Sequence, residues 1–143
     1  MMTAIPSAVN PVFLSQKILI GNCFFKIIYP QLWYKFVATV KQYEKAIDDY
    51  SKAIALKPND LMVCFNRGVT YIQLEQYEKT IKDCNKMLGL EPRYFRVHCI
   101  RGIAYKGLGQ YKKAIKDYNK AIKLDSNDFL AYLYRGEIYG ELN

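Results

Sequence analysis

After about Val40, apolar residues recur at the spacing of one helical face. Cys64, Arg67, Gly68 and Tyr71 lie at i, i+3, i+4 and i+7. Tyr77, Thr80, Ile81, Cys84 and Leu88 make a second such face, and the QLEQY segment between the two, Gln73 to Tyr77, leaves no room for a strand. The predicted unit is a helical hairpin, and it repeats. Subtracting 34 from positions in Phe95 to Asp128 carries Arg101 to Arg67, Gly102 to Gly68, Tyr105 to Tyr71, Tyr111 to Tyr77 and Asp117 to Asp83. One period forward lie Arg135, Gly136 and Tyr139; one further back lie Tyr43, Ala46, Ile47, Asp49 and Ala53. A fixed period of this length marks stacked helical hairpins. The expected fold is all-α, an α-solenoid of stacked antiparallel helix hairpins with a 34-residue period.

The punctuation agrees with that period. Lys57–Asp60 (KPND), Glu91–Arg93 (EPR) and Asp125–Asp128 (DSND) separate the hairpins. Pro58 and Pro92 lack an amide donor and stop the preceding helix. Asn59, Asp60, Asn127 and Asp128 are suited to capping the next one. Gly107 and Gly109 give backbone freedom to the turn inside the third repeat. The array therefore reads as residues 40–143, with the second helix of repeat one at 43–56, repeats at 61–94 and 95–128, and a half repeat at 129–143.

Gly68, Gly102 and Gly136 fall inside helices, where glycine costs about 1 kcal/mol relative to alanine. Their recurrence points to close helix packing, with Ala114 facing Gly102 and Thr80 facing Gly68. Tyr111, Ile115 and Tyr118 then fill the space around the pair. Arg67 and Arg101 each have an aspartate sixteen residues later, Asp83 and Asp117. Repeated Arg–Asp bridges tying hairpins together are the expected role, with Asp49 a further partner on the preceding hairpin.

Residues 1–39 break the pattern. No acidic residue precedes Glu44, and the segment is apolar and aromatic. A transmembrane helix needs about 20 mostly apolar residues, but Lys17, Lys26, Lys35 and Pro30 cut this stretch into pieces. A signal peptide would carry its charge before the apolar run, whereas Lys17 comes late. The reading left is an apolar basic leader or a degenerate first helix, packed on the array or against a membrane surface.

Charge and candidate chemistry narrow the function. The formal net charge of +8 is carried mostly by lysines, which favours solubility and weak attraction to polyanions. Cys23, Cys64, Cys84 and Cys99 have no CxxC spacing, and the single histidine, His98, has no partner at ligand spacing. Cys64, Cys84 and Cys99 fall within the apolar repeat pattern, so small buried thiols in a reducing, cytoplasmic setting are expected, with no metal and no cofactor. No glycine-rich phosphate loop, activated nucleophile or paired carboxylates are present in the sequence, so an enzyme is not expected.

The segments RGVTY…QYEKT…C…M…P and RGIAY…QYKKA…Y…A resemble the tetratricopeptide repeat family over about Gln42 to Asn143. Thr80, Cys84 and Met87 depart from the family's Ala, aromatic and Ala, and Ser126 stands where Pro is usual. Trp33 and Tyr34 occupy positions where a first helix should carry the motif. The resemblance implies that the first helices of the hairpins line a concave groove holding a peptide or partner helix. Its positions here would be Met62, Phe65, Val69 and Ile72, then Arg96, Cys99, Ile103 and Lys106, then Leu130, Leu133 and Glu137. Some relatives clamp a C-terminal carboxylate with Lys and Asn. Phe65, Val69, Cys99 and Ile103 in the inner positions disfavour that clamp, and of an asparagine ladder only Asn66 fits, not Ile100 or Tyr134.

The expected function is a protein–protein interaction scaffold, its partner a protein or peptide. The alternative is a basic surface for nucleic acid or anionic membrane, formed by Lys79, Lys82, Lys86, Lys112, Lys113, Lys116, Lys120 and Lys123. Glu75, Glu78 and Asp83 interrupt that stripe, and no recognised nucleic-acid motif accompanies it. Beyond Phe129–Leu142 no second helix follows to cover Tyr132, Tyr139 and Leu142. Arrays end in polar caps, so the chain reads as a piece of a longer array, or else its open end binds a partner such as a second copy.

Overall fold

The computed structural model describes residues 30–142. They form six helices: α1 (Pro30–Leu56), α2 (Leu61–Gln73), α3 (Tyr77–Leu90), α4 (Phe95–Gly107), α5 (Tyr111–Leu124) and α6 (Phe129–Glu141). Among the described residues there is no strand, and no helix is long and apolar enough to cross a membrane. The chain divides into two compact units, Met1–Lys45 and Ala46–Asn143.

In the first unit the described residues belong to α1, where the Trp33 and Phe36 rings lie 6.0 Å apart and tilted. Of the apolar segment 1–39, residues 1–29, with Lys17, Cys23 and Lys26, lie outside the described residues, whereas 30–39 are α-helical.

In the second unit, α2 packs on α3, α4 on α5, and each hairpin on the next helix. Asp60 caps α2 by accepting from the amides of Met62 and Val63, and Asp128 caps α6 by accepting from Leu130. Asn59 and Asn127, of equally suitable type, do not cap. Helices α1 and α3 end at Leu56 and Leu90, ahead of Pro58 and Pro92. The turn after α4 places Gly109 at φ 71°, and one period earlier Glu75 holds φ 53°, a left-handed conformation that suits glycine far better than a side-chain-bearing residue. Gly107 has a different reason: a Cβ there would collide with the Tyr77 ring.

The core lies between successive helices. Cys64, Cys84, Met87, Val97 and Ile100 form one cluster, Cys99, Ala121 and Ala131 a second, and Ala114, Tyr118 and Ile138 a third. The close approach at Gly102 differs from the Ala114 pairing expected from sequence. A Cβ on Gly102 would lie 2.5 Å from the Tyr118 ring, so the missing side chain seats that tyrosine. At Gly68 the neighbour likewise differs from the expected Thr80: a Cβ there would meet Ile100 at 3.4 Å, while the Thr80 hydroxyl donates to the Gly68 carbonyl at 3.1 Å.

Two of the three recurrent arginines, Arg67 and Arg101, bridge in both directions. Arg67 donates through Nε and Nη2 to the Asp83 carboxylate (2.8 and 2.7 Å) and through Nη1 to Ser51 Oγ (3.1 Å). Arg101 repeats the arrangement with Asp117 (2.8 Å twice) and Asn85 (2.7 Å). Arg135 donates through Nη1 to Asn119 at 2.6 Å. Each arginine thus reaches sixteen residues back to Ser51, Asn85 or Asn119, a ladder that sequence reading missed by assigning the backward partner to Asp49.

Candidate functional site

The first helices of the hairpins, α2, α4 and α6, lie side by side, α4 touching both others. Along them opens an apolar groove of about 410 Å³. Phe65 from α2, Phe95, Cys99, Ile100 and Ile103 from α4, and Phe129, Leu130 and Tyr134 from α6 line it. Arg96 and, from the α5–α6 connection, Asp125, Asn127 and Asp128 supply its polar wall. Helical periodicity explains the grouping, since Arg96, Cys99, Ile100 and Ile103 share one face of α4.

Of the residues expected from sequence, the groove gathers Phe65, Arg96, Cys99, Ile103 and Leu130. Val69 and Ile72 are half-buried and pack on the first core cluster instead. Met62 and Leu133 are exposed outside it. Lys106 and Glu137 are committed to each other: Lys106 Nζ lies 2.6 Å from Glu137 and 3.4 Å from Glu141, an ion pair between α4 and α6. Burial works against the Lys106 charge, but the two carboxylates outweigh it and raise its pKa. Phe95 and Phe129 were missed. Both hold the first helical position of their repeats, where Leu61 stands in the other copy, and that recurrent apolar position was the available signal.

The groove wall is partly pre-ordered. Phe65 stacks on Tyr94 with centroids 5.9 Å apart. Asp128 accepts from Leu130 N at 3.1 Å and from the Cys99 thiol at 2.8 Å, joining the α6 cap to the groove floor. Burial, then this thiol–carboxylate bond, push the Cys99 thiol far up. Cys64, Cys84 and Cys99 are all buried and unbridged, and such thiols are poor nucleophiles and poor metal ligands. His98, behind the groove, faces acceptors with both ring nitrogens: Asp117 Oδ1 and the Pro92 carbonyl, each at 3.2 Å.

Three family models match in succession, one described as TPR repeat over residues 41–74 and two as tetratricopeptide repeat over 63–94 and 95–128. The chain belongs to the tetratricopeptide repeat family. Solved tetratricopeptide repeat structures share its fold. The first such domain of human RPAP3 is 28% identical with a TM-score of 0.68, covering 76% of this chain and 85% of that one. The second domain of human RPAP3, solved in complex with the HSP70 peptide SGPTIEEVD, is 27% identical with a TM-score of 0.65 over 69% and 82%. The first domain of Spaghetti (RPAP3), bound to the HSP90 peptide SRMEEVD, is 27% identical with a TM-score of 0.67 over 93% of each chain. No curated protein matches the sequence.

Proposed function

We propose that this chain is a protein-interaction adaptor that holds a peptide segment of a partner protein in the groove along α2, α4 and α6. The observation that carries the reading is the apolar cavity of about 410 Å³ shared by those helices. It is supported by family members of this fold that were solved with peptides bound. The floor of Phe65, Cys99, Ile103 and Leu130 suits an aliphatic or aromatic anchor, with orientation set by the polar wall.

The ligand chemistry differs from that of the peptides in those two complexes, which end in EEVD. Here Lys106 is occupied by Glu137 and Glu141, and Asp125 and Asp128 line the groove together with one cation, Arg96. Two carboxylates against one guanidinium disfavour a tail of acidic residues. The segment that fits carries an apolar anchor and a neutral or basic flank.

Selection of binders from a random peptide library tests both parts. Peptides with apolar anchors that bind the protein, and lose about tenfold or more in affinity to Leu130→Glu, support the groove. Leu130 is exposed, so this change leaves the core intact. Binders indifferent to Leu130→Glu but lost when Lys112, Lys116 and Lys120 become Gln, with steep salt dependence, would move the function to the lysine face. Preferential binding of SRMEEVD would overturn the assignment of ligand charge.

A further inference from the structure

Repetition supplies internal controls for what each helix face should meet. In α2 and α4, the face turned to the following helix is covered: Cys64 is 1% exposed and Tyr71 9%, His98 is 7%, and Gly68 and Gly102 are buried. The same positions in α6 are open. Tyr132 is 45% exposed and Tyr139 49%, and a Cβ on Gly136 would meet nothing within 4 Å. Arg135 uses Nη1 on Asn119, but its Nε and Nη2, the pair that grips Asp83 or Asp117 in the other repeats, find no acceptor among the described residues. The face carries an unfilled socket: an arginine fork without its carboxylate and a glycine seat without its ring.

The complementary face exists elsewhere in the same chain. One period before Asp83 and two before Asp117 stands Asp49 of α1, and two periods before Tyr118 stands Tyr50. Asp117 and Tyr118 are buried in α5, gripped by Arg101 and seated on Gly102. Asp49 is 81% exposed and meets, among the described residues, only Lys52 at 3.7 Å. Tyr50, Ala46 and Ala53 are only half-buried, whereas Tyr118, Ala114 and Ala121 in their places are at 0%. The Arg that would serve Asp49 by the repeat rule is replaced by Trp33.

We propose that copies of this chain associate head to tail, with α6 of one copy docking on the Ala46–Leu56 part of α1 in the next. Asp49 of the second copy enters the Arg135 fork, and its Tyr50 ring lies over Gly136. The pair reproduces the α4–α5 hairpin between molecules, with charge and shape both matched. The contact is heterologous, using a different surface on each copy, so association adds further copies instead of stopping at a two-fold dimer unless a ring closes. It uses the opposite face of α6 from Leu130 and does not depend on the peptide groove.

Sedimentation of the full 143-residue chain over a dilution series tests this. The expected result is a mass rising with concentration above the 16.7 kDa of one chain. Gly136→Leu blocks the tyrosine seat in open space and is expected to leave the circular dichroism spectrum unchanged while abolishing association. Arg135→Asp and Asp49→Arg are each expected to weaken association by about thirtyfold or more. Mixing the two restores it, because each junction then pairs opposite charges. A chain that stays monomeric at every concentration overturns the proposal, as does association that survives Gly136→Leu or is not regained in the mixture.

Discussion

Arg101 grips Asp117 through two parallel bonds of 2.8 Å, and the carboxylate is only 6% exposed. Arg135, one period on, reaches a single amide oxygen, that of Asn119. Arg101→Met leaves a buried carboxylate with only His98 beside it and is expected to cost about 3 kcal/mol. Arg135→Met removes one exposed hydrogen bond and is expected to cost about 1 kcal/mol or less. Urea unfolding of the two variants at low protein concentration gives the comparison. Equal losses would mean that the bidentate pair adds nothing beyond the helix surface.

The same carboxylate sets an acid limit. Burial pushes the Asp117 pKa up, but the Arg101 and His98 hydrogen bonds outweigh it and hold the folded value below the ordinary 3.8. A depressed folded pKa means that the unfolded chain binds the proton first on acidification. The contribution of Asp117 is therefore complete above pH 3.8 and is lost as pH falls through the lower folded value. The urea midpoint is expected to fall in that window, and Asp117→Asn to remove its share of the slope while lowering stability at neutral pH. An unchanged slope in Asp117→Asn would contradict the assignment.

Two glycines one period apart are expected to respond with opposite sign. Gly102→Ala puts a methyl 2.5 Å from the fully buried Tyr118 ring, an overpacking expected to cost about 1–3 kcal/mol. Gly136→Ala enters open space and is expected to stabilise the monomer by about 0.5–1 kcal/mol through helix propensity. Thermal melts of both variants decide it, and a loss at Gly136 would show a packing partner there.

Much of the fold was legible because one physical constraint recurs. Every hairpin must seat the same Arg, Gly and Tyr, so the period names helices, turns and bridges together. What escaped is what periodicity does not encode. The close neighbour of Gly102 is set by the reach of the Tyr118 ring, not by the Cβ direction of Ala114. The Ser51–Asn85–Asn119 ladder was hidden because its residues change type from copy to copy, serine and asparagine both offering an acceptor oxygen. Projecting the groove by register found Phe65, Cys99, Ile103 and Leu130 but could not show that Lys106 reaches Glu137, a contact between helices of different repeats. Phe95 and Phe129 line the groove from the first position of their helices, and helical side chains generally lean toward the turn before their own Cα, a direction that spacing alone omits.

The thiols report on the same architecture in solution. Cys64, Cys84 and Cys99 are 1%, 0% and 5% exposed, and burial pushes all three thiols up from their ordinary value. Since the thiolate is the reacting species, all three should resist a disulfide reagent at pH 8 until the chain opens. In a Cys23→Ser background, modification is expected to be slow in buffer and complete in unfolding urea. Cys99 should react first among the three, because it alone of them lines the groove. A bound peptide should slow Cys99 and leave Cys84 unchanged, which separates occupancy of the groove from general stabilisation. Prompt modification of Cys84 in buffer would mean that the α3–α4 core is open, and protection of all three in equal proportion would mean that the peptide sits elsewhere.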